Sequence, residues 1–397
     1  MKTDFGHIVI GAGISGLGSA HFSARRGIQT LVLEQSARVG GCLNSCRFPG
    51  AGDFWAEAGS HSCFNSYGIL LEILHELDLL DHLVEKQRLS YSLYRDGNRR
   101  SVFSALHPLE LAIALPHLPF TRKQGRSVAE YYSTVLGRRN YRDLFAPAFS
   151  AVICQPAGDF PAELLFRRKP RNKQVVRSFT LPQGLEQIAR TIAEQPVVQV
   201  KTGQTITRVS REDERFVVQS ADGCSYSAAR LTLAVPPDVA AQLVPDSFVG
   251  IAGLLRKITM SEIDSLTVCV PASVLDLPHL AGLIAVEEDF YSMVSRDYLA
   301  DAEYRGFTFH FRHGRLDPAD REKRATAILG IGMDRLAGTS HTLNRLPALR
   351  TGHDGVVRQI DSALSHTGLA LTGNYFCGVS IEDCLTRSRQ ESLRLFG

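Results

Sequence analysis

The 397-residue sequence predicts an α/β protein with three parts: a parallel-sheet domain assembled from discontinuous segments, an antiparallel-sheet domain and a helical subdomain. Three stretches carry this prediction. Residues 7–41 read as strand, glycine turn, helix and strand; residues 255–333 hold several β-rich runs; residues 369–389 read as a final strand, loop and helix.

Residues 7–10 form a short β-branched run suited to a buried parallel strand. Gly11, Gly13 and Gly16 follow as G-x-G-x-x-G. The first glycine permits the tight turn, the second lets backbone approach a pyrophosphate, and the third lets the helix pack on the strand. The helix expected over 14–26 begins with Ile14 and Ser15, whose N–H groups and positive helix end face such phosphates. A second strand is expected over 30–33, and Glu34 ends it, 23 residues after Gly11, where a carboxylate can accept ribose hydroxyls. This is a Rossmann-type dinucleotide unit in full order. Gln35 follows, and then Arg38, Gly40 and Gly41, a cation suited to a diphosphate and a second close-approach glycine pair.

Apolar residues at 69, 70, 73, 74, 77 and 80 give 67–84 a helical period. Runs 89–94 and 100–103 flank Asp96-Gly97-Asn98 as a hairpin. Residues 109–193 read as short helices punctuated by prolines, and 181–193 as another helix entry. Strands are expected at 197–201, 204–209, 216–220 and 231–235, the last stopped by Pro236-Pro237. In the second sheet, strands are expected at 265–270, 282–286, 292–295, 306–312 and 326–331. Strict alternation over 306–312 sets Phe307, Phe309 and Phe311 on one face and Thr308, His310 and Arg312 on the other. The expected division is 1–66, 182–240 and 347–397 for the nucleotide domain, 67–103 and 241–346 for the substrate domain, and 104–181 for the helical subdomain.

Composition narrows the class. An apolar content of 44% and charged content of 21% are ordinary for a globular protein, and a net charge of +3 makes no case for nucleic acid. The eight cysteines form no CxxC, so no metal site is expected. The strand signal starts within a few residues of Met1, leaving no room for a signal peptide, so a cytoplasmic location is expected. The most apolar run, 105–120, is broken by prolines at 108, 116 and 119 and by Glu110. The favoured reading is a buried helix between turns; the other is a shallow patch at the inner membrane face.

Arg38-Val39-Gly40-Gly41 resembles the R-x-G-G segment of FAD-dependent oxidases of the amine oxidase superfamily. That resemblance implies non-covalent FAD, with Ala58 and Gly59, Val209 and Ala234, and Gly373, Asn374, Gly378, Val379 and Ser380 as further cofactor contacts. The run 372–390 is similar to the C-terminal signature of protoporphyrinogen oxidases, as are Glu57-Ala58-Gly59, Ser127 to Tyr131 with Gly137-Arg138, and Leu346-Pro347 with Gly352-His353. The implied activity is hydride transfer to flavin N5 from a porphyrinogen or related heterocycle, with oxygen or a quinone as electron acceptor. Residues 96–104 resemble a family segment whose arginine holds a substrate carboxylate, which nominates Arg100. Tyr375 and Phe376 are the other substrate candidates, and His310 and Arg100 the catalytic ones.

Two alternatives stand. An amine or amino-acid oxidase, or a secondary-metabolite dehydrogenase, shares the fold, although the strand lysine usual in amine oxidases has no counterpart between 258 and 322. A non-catalytic flavin or tetrapyrrole carrier could use the basic run 167–173. The oligomeric state stays open.

Overall fold

The computed structural model describes residues 4–397. Its first sheet grows from the N-terminal motif. Strand β1 (Phe5–Ile10) enters the core, helix α1 (Ile14–Ala24) crosses over, and β2 (Thr30–Leu33) pairs parallel to β1. Every residue of β2 is buried, as expected of an apolar strand covered on both faces. Across this sheet the order is Val198–Lys201, β2, β1, Ser225–Leu233, Arg215–Ser220 and Ile206–Glu212, and Leu369–Leu371 adds parallel to Ser225–Leu233. Segments from the start, middle and end of the chain therefore share one sheet.

The second sheet is ordered β5 (Gly338–Pro347), β3 (Met260–Pro271), β4 (Tyr304–Arg312), Phe290–Ser295, Gly282–Ala285, Tyr91–Arg95 and Asn98–Ser101. Its pairs are antiparallel except Gly282–Ala285 with Tyr91–Arg95, which is parallel. Asp96 and Gly97 both take positive φ, which suits the tight turn of the 91–101 hairpin. Phe307, Phe309 and Phe311 of β4 are wholly buried and pack with Phe290 and Met293. Thr308 and His310, on the other face, are buried too. That face is not in water; it packs against the nucleotide domain.

Three expected elements differ. Residues 326–331 do not form a strand: they end the helix Pro318–Leu329, whose N-cap Asp317 accepts from Asp320 N–H and whose Pro318 starts the helix. The helix expected over 67–84 stops early, as α2 (Gly68–Glu76), before Asp78 at positive φ. Residues 105–120 form a short helix, Pro108–Ala114, and a 3₁₀ stretch, Leu115–Phe120, and they are not a buried helix. Phe103, Leu109, Ile113 and Phe120 are 78%, 82%, 74% and 87% exposed, because the three prolines keep this short segment from folding its apolar side inward. The chain ends in α3 (Ile381–Phe396), packed along α1.

Candidate functional site: a dinucleotide cleft meeting a polar sheet face

The carboxyl ends of β1 and β2 open into the glycine turn. Gly11 has φ +101, and a Cβ on it would drive into the Ala234 carbonyl. Gly16 is pressed against the Gly11 carbonyl. Gly13 differs: a Cβ there would meet nothing within 4 Å. Gly13 is the N-cap of α1, which has no side-chain cap and no acid in its first turn, so the N–H groups around Ile14 and Ser15 are left for that open space. The cradle fits a pyrophosphate.

Glu34 stands at one end of the cradle. Its carboxylate accepts from Ala12 N–H at 2.7 Å and Ser36 N–H at 2.8 Å, which fixes it beside the turn, with Gln35 next to it. Residues 201–204 line this end, since Glu34 N–H bonds the Lys201 carbonyl and Gln204 N–H the Glu34 carbonyl. Val209 lies five residues on from Gln204, in Ile206–Glu212, where its side chain packs in the core. Ala234 is beside the turn as expected, its N–H on the Ile10 carbonyl.

At the other end, Gly40 N–H bonds the Ala12 carbonyl, and Gly40 and Gly41 take φ of +106 and +57. The Arg38 guanidinium is already engaged, by the carbonyls of Val39, Leu43 and Gly41 at 3.1, 3.1 and 2.6 Å. Arg38 therefore braces the glycine pair rather than pointing at a diphosphate. Beyond it, Ser60 N–H bonds the Cys42 carbonyl at 2.8 Å, and Gly59 packs so tightly on that carbonyl that a side chain would clash. Glu57 is buried, held by Ser45 Oγ and Leu185 N–H at 2.9 and 2.8 Å, and burial pushes its carboxyl up to about 7.

The polar face of the second sheet closes on this segment. Thr308 Oγ1 donates to the Glu57 carbonyl at 2.7 Å, and Asn344 Nδ2 to the Ala58 carbonyl at 3.1 Å. His310 Nδ1 pairs with Ser265 Oγ at 3.0 Å; among the described residues its Nε2 has no partner. Burial lowers His310 to about 4, so the ring is neutral near pH 7. Asn344 and Ser265 are residues that sequence reasoning missed; neither carries a motif. Lys86 is a third, its Nζ bonded to the His61 carbonyl.

The C-terminal segment completes the cleft. Gly373, Asn374, Gly378 and Val379 lie between Leu369–Leu371 and α3. Ser380 caps α3 reciprocally with Asp383, and Ser388 Oγ reaches the Ser15 carbonyl at 2.7 Å, fastening α3 to the start of α1. Lys169 pairs with Asp383 at 2.7 Å and Arg167 bonds the Cys377 carbonyl, so part of the basic run clasps this loop rather than lying free. Tyr375 and Phe376 are buried in the core, with Arg387 3.9 Å above the Phe376 ring. They are not placed to line a substrate chamber. Arg100 is also elsewhere, exposed on the outer strand Asn98–Ser101, four strands and roughly 19 Å from β4.

Residues 9–77 match the model of an NAD(P)-binding Rossmann-like domain, and residues 134–329 that of the flavin containing amine oxidoreductases. Over residues 134–329 the chain is thus similar to the flavin containing amine oxidoreductases. One relative, a provisionally named L-amino-acid oxidase, YobN, of Bacillus subtilis (strain 168), is 28% identical over 130 residues, 32% of this chain and 26% of that one. The match thus spans about a quarter of that relative's length. A provisionally named protoporphyrinogen oxidase from Exiguobacterium sp. 255-15 superposes with a TM-score of 0.80 at 18% identity, over 98% of this chain and 99% of that one. A redesigned putrescine oxidase superposes with a TM-score of 0.73 at 14% identity, over 98% of each chain. These solved structures share the fold.

The flavin family match makes FAD the dinucleotide, and the cleft has room for one: Glu34 stands at one end, open space lies at Gly13, and Gly40, Gly41 and residues 58–61 follow beyond. A surface hollow of about 780 Å³ between Gly125, Arg126, Glu130 and Arg138 lies on the helical part, away from these groups.

Proposed function

We propose that this flavin oxidoreductase takes hydride from an organic substrate, with a porphyrinogen or related heterocycle as the substrate and oxygen or a quinone as the electron acceptor. Bound FAD, held without a covalent link, supplies the hydride acceptor at N5. The observation that carries the reading is the closure of the sheet's polar face on segment 57–61 through Thr308 and Asn344. Their hydrogen bonds set the distance between cofactor segment and substrate sheet, so the protein's part is to orient the reactants and exclude water. The similarity of residues 372–390 to the protoporphyrinogen oxidase signature supports the substrate class. Absorbance under argon tests it: a porphyrinogen should bleach the bound flavin as porphyrin bands appear, and an unchanged flavin spectrum would contradict it.

A second reading is favoured by the small polar side chains on that sheet face. Ser265, Thr267, Thr308 and His310 are all buried, and Arg100 is too distant to hold a carboxylate there. A compact amine or amino acid fits such a lining; ammonia release with flavin bleaching would favour it. No bleaching by any of these substrates would favour a carrier.

The location we propose is the surface of a membrane. No described helix is long and apolar enough to cross one, but the apolar side chains of 103–120 stand out into solvent beside exposed Arg99, Arg100, Arg122 and Arg126. An apolar patch with a basic rim suits an anionic headgroup layer.

A further inference from the structure

Lys86 is a cation held without a carboxylate. Its Nζ donates to the His61 carbonyl at 2.6 Å and to Ser62 Oγ at 3.0 Å, and sits 3.6 Å from the centre of the Tyr298 ring. Those three neutral partners account for its three N–H groups. Among the described residues it makes no ion pair. Taking an ammonium group out of water without a counter-ion is unfavourable, so such an arrangement is a mark of function rather than of stability.

What Lys86 grips is the cofactor segment itself. His61 and Ser62 follow Gly59 and Ser60, which pack on the Cys42 carbonyl directly after the Gly40–Gly41 pair. The sheet face with Thr308 and His310 meets the same segment. Lys86 itself comes from outside both, just after the short strand Val84–Glu85. This places a fixed positive charge at the end of the cleft beyond the diphosphate cradle, where the reactive end of the dinucleotide belongs.

We propose that Lys86 is the fixed cation that stabilises the reduced, negatively charged flavin and so sets how readily this protein's cofactor accepts hydride. The proposal rests on the FAD reading. In the transfer the substrate C–H bond breaks, an N–H bond forms at flavin N5, and the electron pair leaves one negative charge on the ring; Lys86 neither gives nor takes a proton. Its charge lowers the energy of that product through space, as a positioned cation does in a partly dry site.

The surroundings make this charge titrate within reach of experiment. Burial lowers Lys86 to about 8, while Cys63 and Glu57 act in the opposite direction. His61, Tyr298, Arg296 and His310 are the other ionisable groups facing this space; burial keeps both histidines neutral and pushes the tyrosine far up. The cation is therefore present below that value and lost above it.

The test is the midpoint potential of the FAD-loaded protein, measured with redox dyes under argon from about pH 6 to about pH 10. Lys86→Met should make reduction harder near neutrality, by at least about tenfold in equilibrium constant, and should remove the inflection near the lysine's titration. Lys86→Arg should keep the neutral-pH potential and also lose the inflection, because an arginine does not titrate there. A Lys86→Met protein with the wild-type potential and pH profile would overturn the proposal. If that variant does not retain FAD, the wild type and Lys86→Arg decide: an inflection in the first and not the second supports the proposal, and its absence from the wild type overturns it. A protein that takes up no FAD at all fails earlier, at the loading step, and overturns the parent reading.

Discussion

Gly13 and Gly41 face each other across the cofactor turn: a Cβ on Gly41 would come within 3.1 Å of the Gly13 Cα, whereas a Cβ on Gly13 would enter open space. The two positions constrain different things. Gly13 has φ −71, which alanine adopts freely, so Gly13→Ala should fold with an unchanged Tm and lose FAD affinity by at least about tenfold. Gly16→Ala should instead lower Tm, because its Cβ collides with the Gly11 carbonyl inside the fold. Thermal melts of the apo-proteins beside flavin titrations check both. A Gly13→Ala protein that binds FAD as the wild type does would remove the diphosphate from this cradle.

Glu34 should matter to binding more than to folding. Glu34→Ala releases the N–H groups of Ala12 and Ser36 and removes the ribose acceptor. A lost charged hydrogen bond of about 1–3 kcal/mol corresponds to a rise in the FAD Kd of roughly 5- to 150-fold. Titration followed by flavin fluorescence measures it, and Glu34→Gln should fall between.

The apo-protein should be acid-sensitive. His7 is buried between Ser23 Oγ and Thr232 Oγ1, both at 2.8 Å, and burial lowers it to about 3. The folded chain binds no proton there at pH 5 while the unfolded chain does, so this stabilisation is full above the usual histidine value of about 6.5 and declines as pH falls toward 3. The slope is up to about 1.4 kcal/mol per pH unit for such a group. Denaturant unfolding at pH 7 and pH 5 should give a smaller loss in His7→Asn than in the wild type; equal losses would contradict the assignment.

The exposed patch gives a binding prediction. Leu109→Ser with Phe120→Ser changes side chains that are 82% and 87% exposed, so folding stability should move by no more than about 0.5 kcal/mol. Flotation with anionic vesicles should weaken at least about tenfold, since each apolar side chain inserted contributes about 1.5–3 kcal/mol. Vesicles of neutral lipid should bind the wild type less. Size-exclusion chromatography separates this from self-association through the same patch.

What the sequence disclosed follows the range of the physics involved. The 7–41 unit was readable because each residue's role is local: Gly11 turns the chain, Gly13 is the N-cap of α1, and Glu34 follows β2. The alternation of β4 put Phe307, Phe309 and Phe311 on one face, which the fold buries, but could not say that Thr308 meets the Glu57 carbonyl and His310 meets Ser265. Residues 326–331 looked like a strand because a short apolar run has no period of its own, and the cap at Asp317 decides for a helix. Arg100 was placed by likeness to a motif, and the strand order moved it away from the cleft. Lys86 was invisible: it belongs to no motif and reaches His61 only through the tertiary fold.

The most direct measurement is the visible spectrum of the freshly purified protein, followed by titration of the apo-form with FAD. The structure predicts a yellow protein binding one FAD per chain, released intact on denaturation because no covalent bond holds it. A colourless protein that takes up no FAD would contradict the cleft's assignment and everything placed around it.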